Sequence, residues 1–257
     1  MQRAVLITGS SSGIGLAAAM ALHQRGYHVF AACRKKEDVE RMNQLGMQGI
    51  QLDLDDSMSV QSAAELVLSL TGGRLYGLFN NGGFGLYGEL QSISRQQLER
   101  QFSTNLFGTH ELTLRLLPSM LKSGEGRIIQ TSSVLGFIST AGRGAYAASK
   151  HALEGWSDAL RLELFGTGLH VSLIEPGPIT TNFTQNVEQA QTGKTVSNPG
   201  IAKRFTLTPE DVVPKIIHAL ESPTPKLRYR VTMVTHVMAL MKRLLPSRCL
   251  DALLRKN

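Results

Sequence analysis

Residues 4–15 read Ala4-Val5-Leu6-Ile7-Thr8-Gly9-Ser10-Ser11-Ser12-Gly13-Ile14-Gly15, and this stretch decides the fold. An apolar, partly β-branched run ends at a turn that carries glycine at positions 9, 13 and 15. An alanine-rich stretch follows from Ile14 to Arg25 and stops at Gly26, a residue suited to the position after a helix end. Strand, glycine turn and helix together open a βαβ unit. Glycine lets backbone N–H groups approach a pyrophosphate without a Cβ clash, and the helix N-terminus adds its positive dipole end.

The same alternation continues along the chain. Strand candidates are Ala4–Thr8, His28–Cys33, Gly49–Leu52, Leu75–Asn80, Arg127–Thr131, His170–Ile174 and Tyr229–Thr232. Helical patterns cover Ser57–Leu70, Ser94–Lys122 with Pro118 expected to kink or end it, Gly144–Phe165, and Pro209–Glu221 with Thr208 as cap. Short apolar runs alternating with amphipathic stretches predict a doubly wound, Rossmann-type α/β fold: one parallel sheet over residues 1–257 with helices on both faces. Residues 182–206 are polar and aperiodic and follow a strand end, as a substrate lid would.

Composition removes other classes. Of 257 residues, 42% are hydrophobic and 18% charged, which excludes a disordered chain and a coiled coil. Two cysteines, Cys33 and Cys249, suit a reducing compartment rather than a disulfide framework. Neither a secretory leader nor a spanning helix is read, so the expected location is cytoplasmic. The net charge of +7 does not indicate nucleic acid. Residues 226–257 hold eight Lys or Arg against Asp251 alone, while residues 1–225 balance 19 bases with 19 acids. In the basic segment 235–257, Val237, Leu240, Met241, Leu244 and Leu245 follow helical spacing. That stripe fits a helix packed on its own domain or on a second subunit, or one lying on an anionic membrane surface at the inner face of the cell membrane.

Two further sites read as chemistry. The second strand runs into Cys33-Arg34-Lys35-Lys36, with no carboxylate to accept a ribose 2′-hydroxyl. An arginine there suits a 2′-phosphate, so NADP(H) is expected. Tyr146 and Lys150 lie at i and i+4, so they share a helix face. An ammonium beside a phenol favours the phenolate, which makes Tyr146 a candidate acid/base. The apolar residues after the strand ends, including Leu86, Leu135, Phe137 and Phe183, fit the wall of a pocket for a hydrophobic carbonyl compound, or equally core. The seven histidines are scattered, with no metal-ligand spacing, and neither a Gly-x-Ser-x-Gly elbow nor a P-loop ending is present.

The glycine turn, Asn80-Asn81-Gly82-Gly83, Tyr146-Ala147-Ala148-Ser149-Lys150 and Pro176-Gly177 occur in order. With them the chain resembles the short-chain dehydrogenase/reductase family. Glu175-Pro176-Gly177-Pro178 is similar to its 17β-hydroxysteroid/retinol dehydrogenase-like branch, and within it to a bacterial group of NADP-dependent aldehyde reductases. The resemblance implies a catalytic Ser133, Tyr146, Lys150 and Asn105. It also implies a cofactor site from Gly9, Ser11, Ser12, Gly13, Ile14, Gly15, Arg34, Asp53, Leu54, Asn81, Tyr146, Lys150, Pro176, Gly177 and Thr181. By spacing alone Asp53 fits a turn or cap equally well. Ser133, Tyr146, Leu135 and Phe183 would contact substrate, and a homo-oligomer, dimer or tetramer, is implied. Gly82 replaces the family's usual alanine, a lost methyl expected to loosen the turn by a fraction of a kcal/mol, roughly the Gly-for-Ala difference. A steroid or retinol dehydrogenase, or a non-catalytic NADP-binding sensor, are the alternatives; a sensor does not need the Tyr146/Lys150 pair.

Overall fold

The computed structural model describes residues 2–183, Val187 and 205–255. Seven strands form one sheet in the order β3-β2-β1-β4-β5-β6-β7. They are β1 (Ala4–Thr8), β2 (His28–Cys33), β3 (Gln48–Gln51), β4 (Leu75–Asn80), β5 (Gly126–Thr131), β6 (Leu169–Glu175) and β7 (Arg228–Arg230). Every pairing is parallel. The helices are α1 (Gly13–Gln24), α2 (Lys36–Gln44), α3 (Ser57–Thr71), α4 (Arg95–Phe102), α5 (Gly108–Ser123), α6 (Gly144–Glu163), α7 (Pro209–Glu221), α8 (Met233–Leu244) and α9 (Ser247–Leu254). This is the expected doubly wound fold.

Strand periodicity explains why both sheet faces are buried. In β1, Leu6 points to one core layer with Phe30, Ile50, Val60 and Leu112, while Val5 and Ile7 point to the other with Val29, Leu22 and Ile216. Strand order reverses between β1 and β4, whose carboxyl ends therefore flank the crevice where ligands of such sheets bind.

Two expectations need correction. The stretch 94–122 is not one helix stopped by Pro118. A π-helical segment at Ser103–Phe107 interrupts it, and Pro118 lies inside α5. Pro118 and Leu114, the residue whose carbonyl loses its partner, both lie on the exposed side, where water can satisfy that group. Helix α2 was not anticipated, because it buries only Met42 and so carries almost no apolar periodicity. The expected lid, 182–206, lies outside the described residues over 184–186 and 188–204.

Candidate active site

The crevice is built first from backbone. Ser12 starts α1 in an extended conformation and makes no side-chain cap, so the first-turn N–H groups at Gly13, Ile14 and Gly15 are not taken by a side-chain cap. Gly9 has φ +67°, and a Cβ there would come within 2.9 Å of Gly82 Cα. A Cβ on Gly15 would collide with the Gly9 carbonyl. On Gly13 it would press on the Thr181 methyl at 3.1 Å, so the segment after β6 closes over the turn. These are bare amides in a concave turn at a helix N-terminus, a donor set that fits a pyrophosphate.

Side chains brace this turn rather than fill it. The buried Thr8 hydroxyl accepts the N–H groups of Asn81 (2.9 Å) and Gly82 (2.7 Å). Asn81 Nδ2 donates to the Thr8 carbonyl at 3.2 Å, and its Oδ1 accepts from the Thr131 hydroxyl at 3.1 Å. Asn81 thus spends its amide on the fold of the crevice. Thr8 and Thr131 were missed in the sequence; polar residues closing two apolar strands were the available signal. At Gly82 a methyl would meet Leu54 Cδ1 at 2.9 Å, so Leu54 already occupies the space an alanine side chain would take.

At the end of β2, Arg34, Lys35 and Lys36 are exposed and line an open depression of about 720 Å³ with Glu37, Asp38 and Gln51. Arg41, also missed, pairs with Asp38 at 2.9 Å and donates to the Ser11 carbonyl, tying α2 to the glycine turn. Asp53 behaves as a turn residue: its Oδ1 accepts from Asp55 N at 3.0 Å, and Asp56 caps α3.

The chemistry-bearing side chains converge next to this cradle. Ser133 starts a 3₁₀ turn and accepts from Leu135 N at 3.1 Å, and its hydroxyl stands close enough to Tyr146 to favour the phenolate. Tyr146 and Lys150 leave one face of α6, with Lys150 Nζ 5.8 Å from the Tyr146 ring centroid. Both are buried, at 7% and 5% exposure. Lys150 Nζ donates to the Thr131 carbonyl at 2.7 Å.

Burial shapes both ionisations more than their proximity does. It pushes the Tyr146 phenol up, against the opposing effects of Ser133 and Arg143. The expected fall driven by Lys150 is therefore not what the protein alone produces. Burial also pushes the Lys150 amine down to about 8, with Glu154 opposing. Glu154 stands one turn beyond Lys150, bonded through its Oε2 to Arg228 Nε at 3.1 Å, and Arg228 also reaches Asp158 at 2.7 Å and Glu175 at 3.1 Å. No motif pointed to this ion cluster.

Asn105 sits in the π-helical segment at 1% exposure. Its Oδ1 accepts from Phe84 N at 3.0 Å, and its Nδ2 donates to the Phe84 carbonyl (2.9 Å) and to Ser149 (3.1 Å). Its side chain thus holds the loop after β4 against α6. Pro176 accepts Val134 N at 2.8 Å, joining the ends of β5 and β6. Gly177 is needed because a Cβ would strike the Thr232 hydroxyl.

Above Tyr146 lies an apolar cluster. Leu135, Ile138 and Ala147 are buried with it, and Tyr87, Phe183 and Met238 pack against them. The Tyr87 and Phe183 rings stand 5.9 and 5.6 Å from that of Tyr146. Met238 and Leu254, from the C-terminal helices, also pack on this cluster, which the sequence did not indicate.

The sequence signature described as short chain dehydrogenase matches residues 3–192. The chain is 62% identical over 255 residues to "Uncharacterized oxidoreductase YbbO" of Escherichia coli K12, covering 99% of this chain and 95% of that one. It is 32% identical to "NADPH-dependent 3-dehydrocapnine reductase" of Ornithobacterium rhinotracheale, over 99% of this chain and 97% of that one. It is 34% identical to "Retinol dehydrogenase 8" of Bos taurus, over 93% and 84%. Among solved structures, a short-chain dehydrogenase from Streptomyces avermitilis superposes with a TM-score of 0.83 at 28% identity, over 98% of this chain and 94% of that one. Glycine cradle, Tyr146/Lys150 face and these similarities agree: the chain is an oxidoreductase of the short-chain dehydrogenase/reductase family.

Proposed function

We propose that this protein reduces apolar aldehydes or ketones with NADPH, aldehydes to alcohols foremost, as a cytoplasmic homo-oligomer. The observation that carries this reading is a buried phenol, beside the Ser133 hydroxyl and walled by Leu135, Tyr87 and Phe183, on the same helix face as Lys150. When bound, NADPH supplies the hydride. Gly9, Ser11, Ser12, Gly13, Ile14 and Gly15 would hold its pyrophosphate, Arg34 its 2′-phosphate, Asp53 and Leu54 its adenine side, and Asn81, Pro176, Gly177 and Thr181 the nicotinamide side.

The catalytic roles are assigned to the chain's own groups. Burial keeps Tyr146 protonated through neutral pH, the form a proton donor requires. Its hydroxyl gives that proton to the carbonyl oxygen, and the Ser133 hydroxyl donates to the same oxygen as charge builds on it. Lys150, ammonium below pH about 8, holds ribose and eases ionisation of the phenol. Asn105 fixes the loop after β4 and supports the proton path to Lys150. The apolar wall, including Phe183, favours a hydrophobic substrate over a sugar phosphate. Exposed Phe107, Leu114, Leu162 and Phe165 around α5 and α6 fit a subunit contact.

The likeness to retinol dehydrogenase 8 favours a second reading, a retinol or steroid dehydrogenase on the same site. An NADPH-oxidation screen over aldehydes of increasing chain length, with retinaldehyde and a steroid ketone, separates the two. Rates rising with aldehyde chain length support the first reading. Turnover confined to retinaldehyde or the steroid supports the second. A clear preference for NADH overturns the role of Arg34.

A further inference from the structure

Helix α8 is apolar on two sides. Its inner side puts Met238 against the cluster around Tyr146, and Thr235 is fully buried. Its outer side presents Met233, Val237, Leu240 and Leu244, spaced four, three and four residues apart, at 64, 42, 58 and 68% exposure. Such spacing makes one stripe about three turns long. The expected stripe shared Val237, Leu240 and Leu244 but also counted Met241, which is partly buried, and Leu245, which lies just past the helix end. An apolar stripe facing outward on a helix already packed by its other side marks a surface with a partner.

Charge identifies the partner. Elsewhere arginines are commonly neutralised: Arg25 by Glu221, Arg115 by Glu111, Arg161 by Asp158. Arg243 near the end of α8 and Arg248 and Arg255 on and after α9 are exposed, and among the described residues none joins an ion pair. Lys242 donates to the Phe137 carbonyl and fastens α8 to the 3₁₀ turn that follows Ser133. An apolar stripe flanked by unneutralised cations complements an anionic lipid surface. An apolar protein face would explain the stripe but leave the cations unanswered. Among the described residues no helix is long and apolar enough to cross a bilayer, so the helix would lie on the surface.

We propose that the outer face of α8, with the cations of α9, docks on anionic bilayers and sets the substrate pocket, whose wall is the inner face of the same helix, at the lipid boundary. The docking is read without turnover, so its failure and the failure of the proposed reaction are distinguishable.

The test is cosedimentation of the full chain with vesicles of phosphatidylcholine, with and without phosphatidylglycerol. Binding is expected only to the anionic vesicles and should fall as salt rises. The double variant Leu240→Glu/Leu244→Glu should weaken it about tenfold or more, with reduction of a short water-soluble aldehyde unchanged. Arg243→Glu/Arg248→Glu should weaken it while leaving α8's apolar stripe intact. Equal recovery in the supernatant with and without lipid overturns the proposal, as does equal binding to both vesicle types. A leucine variant whose assembly sediments with a lower mass than the parent's also overturns it, by showing the stripe to be a contact between copies.

Discussion

The proposed cofactor side and the proposed substrate side of the crevice are built by opposite means. Around Gly9, Gly13 and Gly15 the site is backbone, made by leaving side chains out, and the neighbouring Thr8 and Asn81 brace its shape. Around Tyr146 and Lys150 the site is side chain, made by burying polar groups under an apolar cluster. The first is governed by sterics and fails abruptly. The second is governed by desolvation and responds to pH and to small changes of packing.

The largest expected contrast is at Gly15. Gly15→Ala drives a methyl into the Gly9 carbonyl and should cost about 3 kcal/mol or more, seen as a lower denaturation midpoint together with lost NADPH binding. A variant that melts and binds like the parent would show that the cradle is less crowded than the geometry says. Next is Arg34→Ala. Removing one charge-assisted contact, worth about 1.5–3 kcal/mol, should raise the KM for NADPH about 10- to 100-fold and leave that for NADH nearly unchanged. Equal effects on both cofactors would detach Arg34 from the 2′-phosphate.

On the substrate side the expected effect is one of pH. Burial holds the Lys150 amine at about 8, below the ordinary lysine value. Its ammonium is therefore present at lower pH and lost as pH rises through about 8. The kcat/KM for NADPH, which reports the free enzyme, should be flat below that value and fall above it. A profile flat to pH 10, about two units higher, would place Lys150 outside the active form. The smallest effect sharpens the steric half. Gly82→Ala should change stability by less than about 1 kcal/mol, the entropy gained being offset by displacing Leu54. In a Leu54→Val background the same change should be more favourable, and identical effects in the two backgrounds would uncouple the pair.

Legibility in the sequence followed the same division. The parallel sheet, the glycine turn and the Tyr146/Lys150 face could all be read, because each depends on local spacing. Features set by tertiary contact could not. The π-helical break at Ser103–Phe107 has no residue signature, and Pro118, which has one, leaves the helix running. Helix α2 carries too few apolar positions to show a period. That Met238 reaches the Tyr146 cluster, and that Glu154 joins Arg228 behind Lys150, depends on how distant segments pack. Burial of the Tyr146 phenol, which opposes the fall that an adjacent ammonium favours, is likewise invisible in a four-residue spacing.

The central claim is that the Tyr146 hydroxyl is the proton donor in an otherwise intact cofactor site. Tyr146→Phe measures it most directly, with NADPH affinity followed by nucleotide fluorescence and turnover by NADPH oxidation with a reactive aldehyde. Affinity should stay within about twofold while kcat falls about 10²- to 10⁴-fold, the range for loss of a general acid. Unchanged turnover with unchanged affinity would contradict the account.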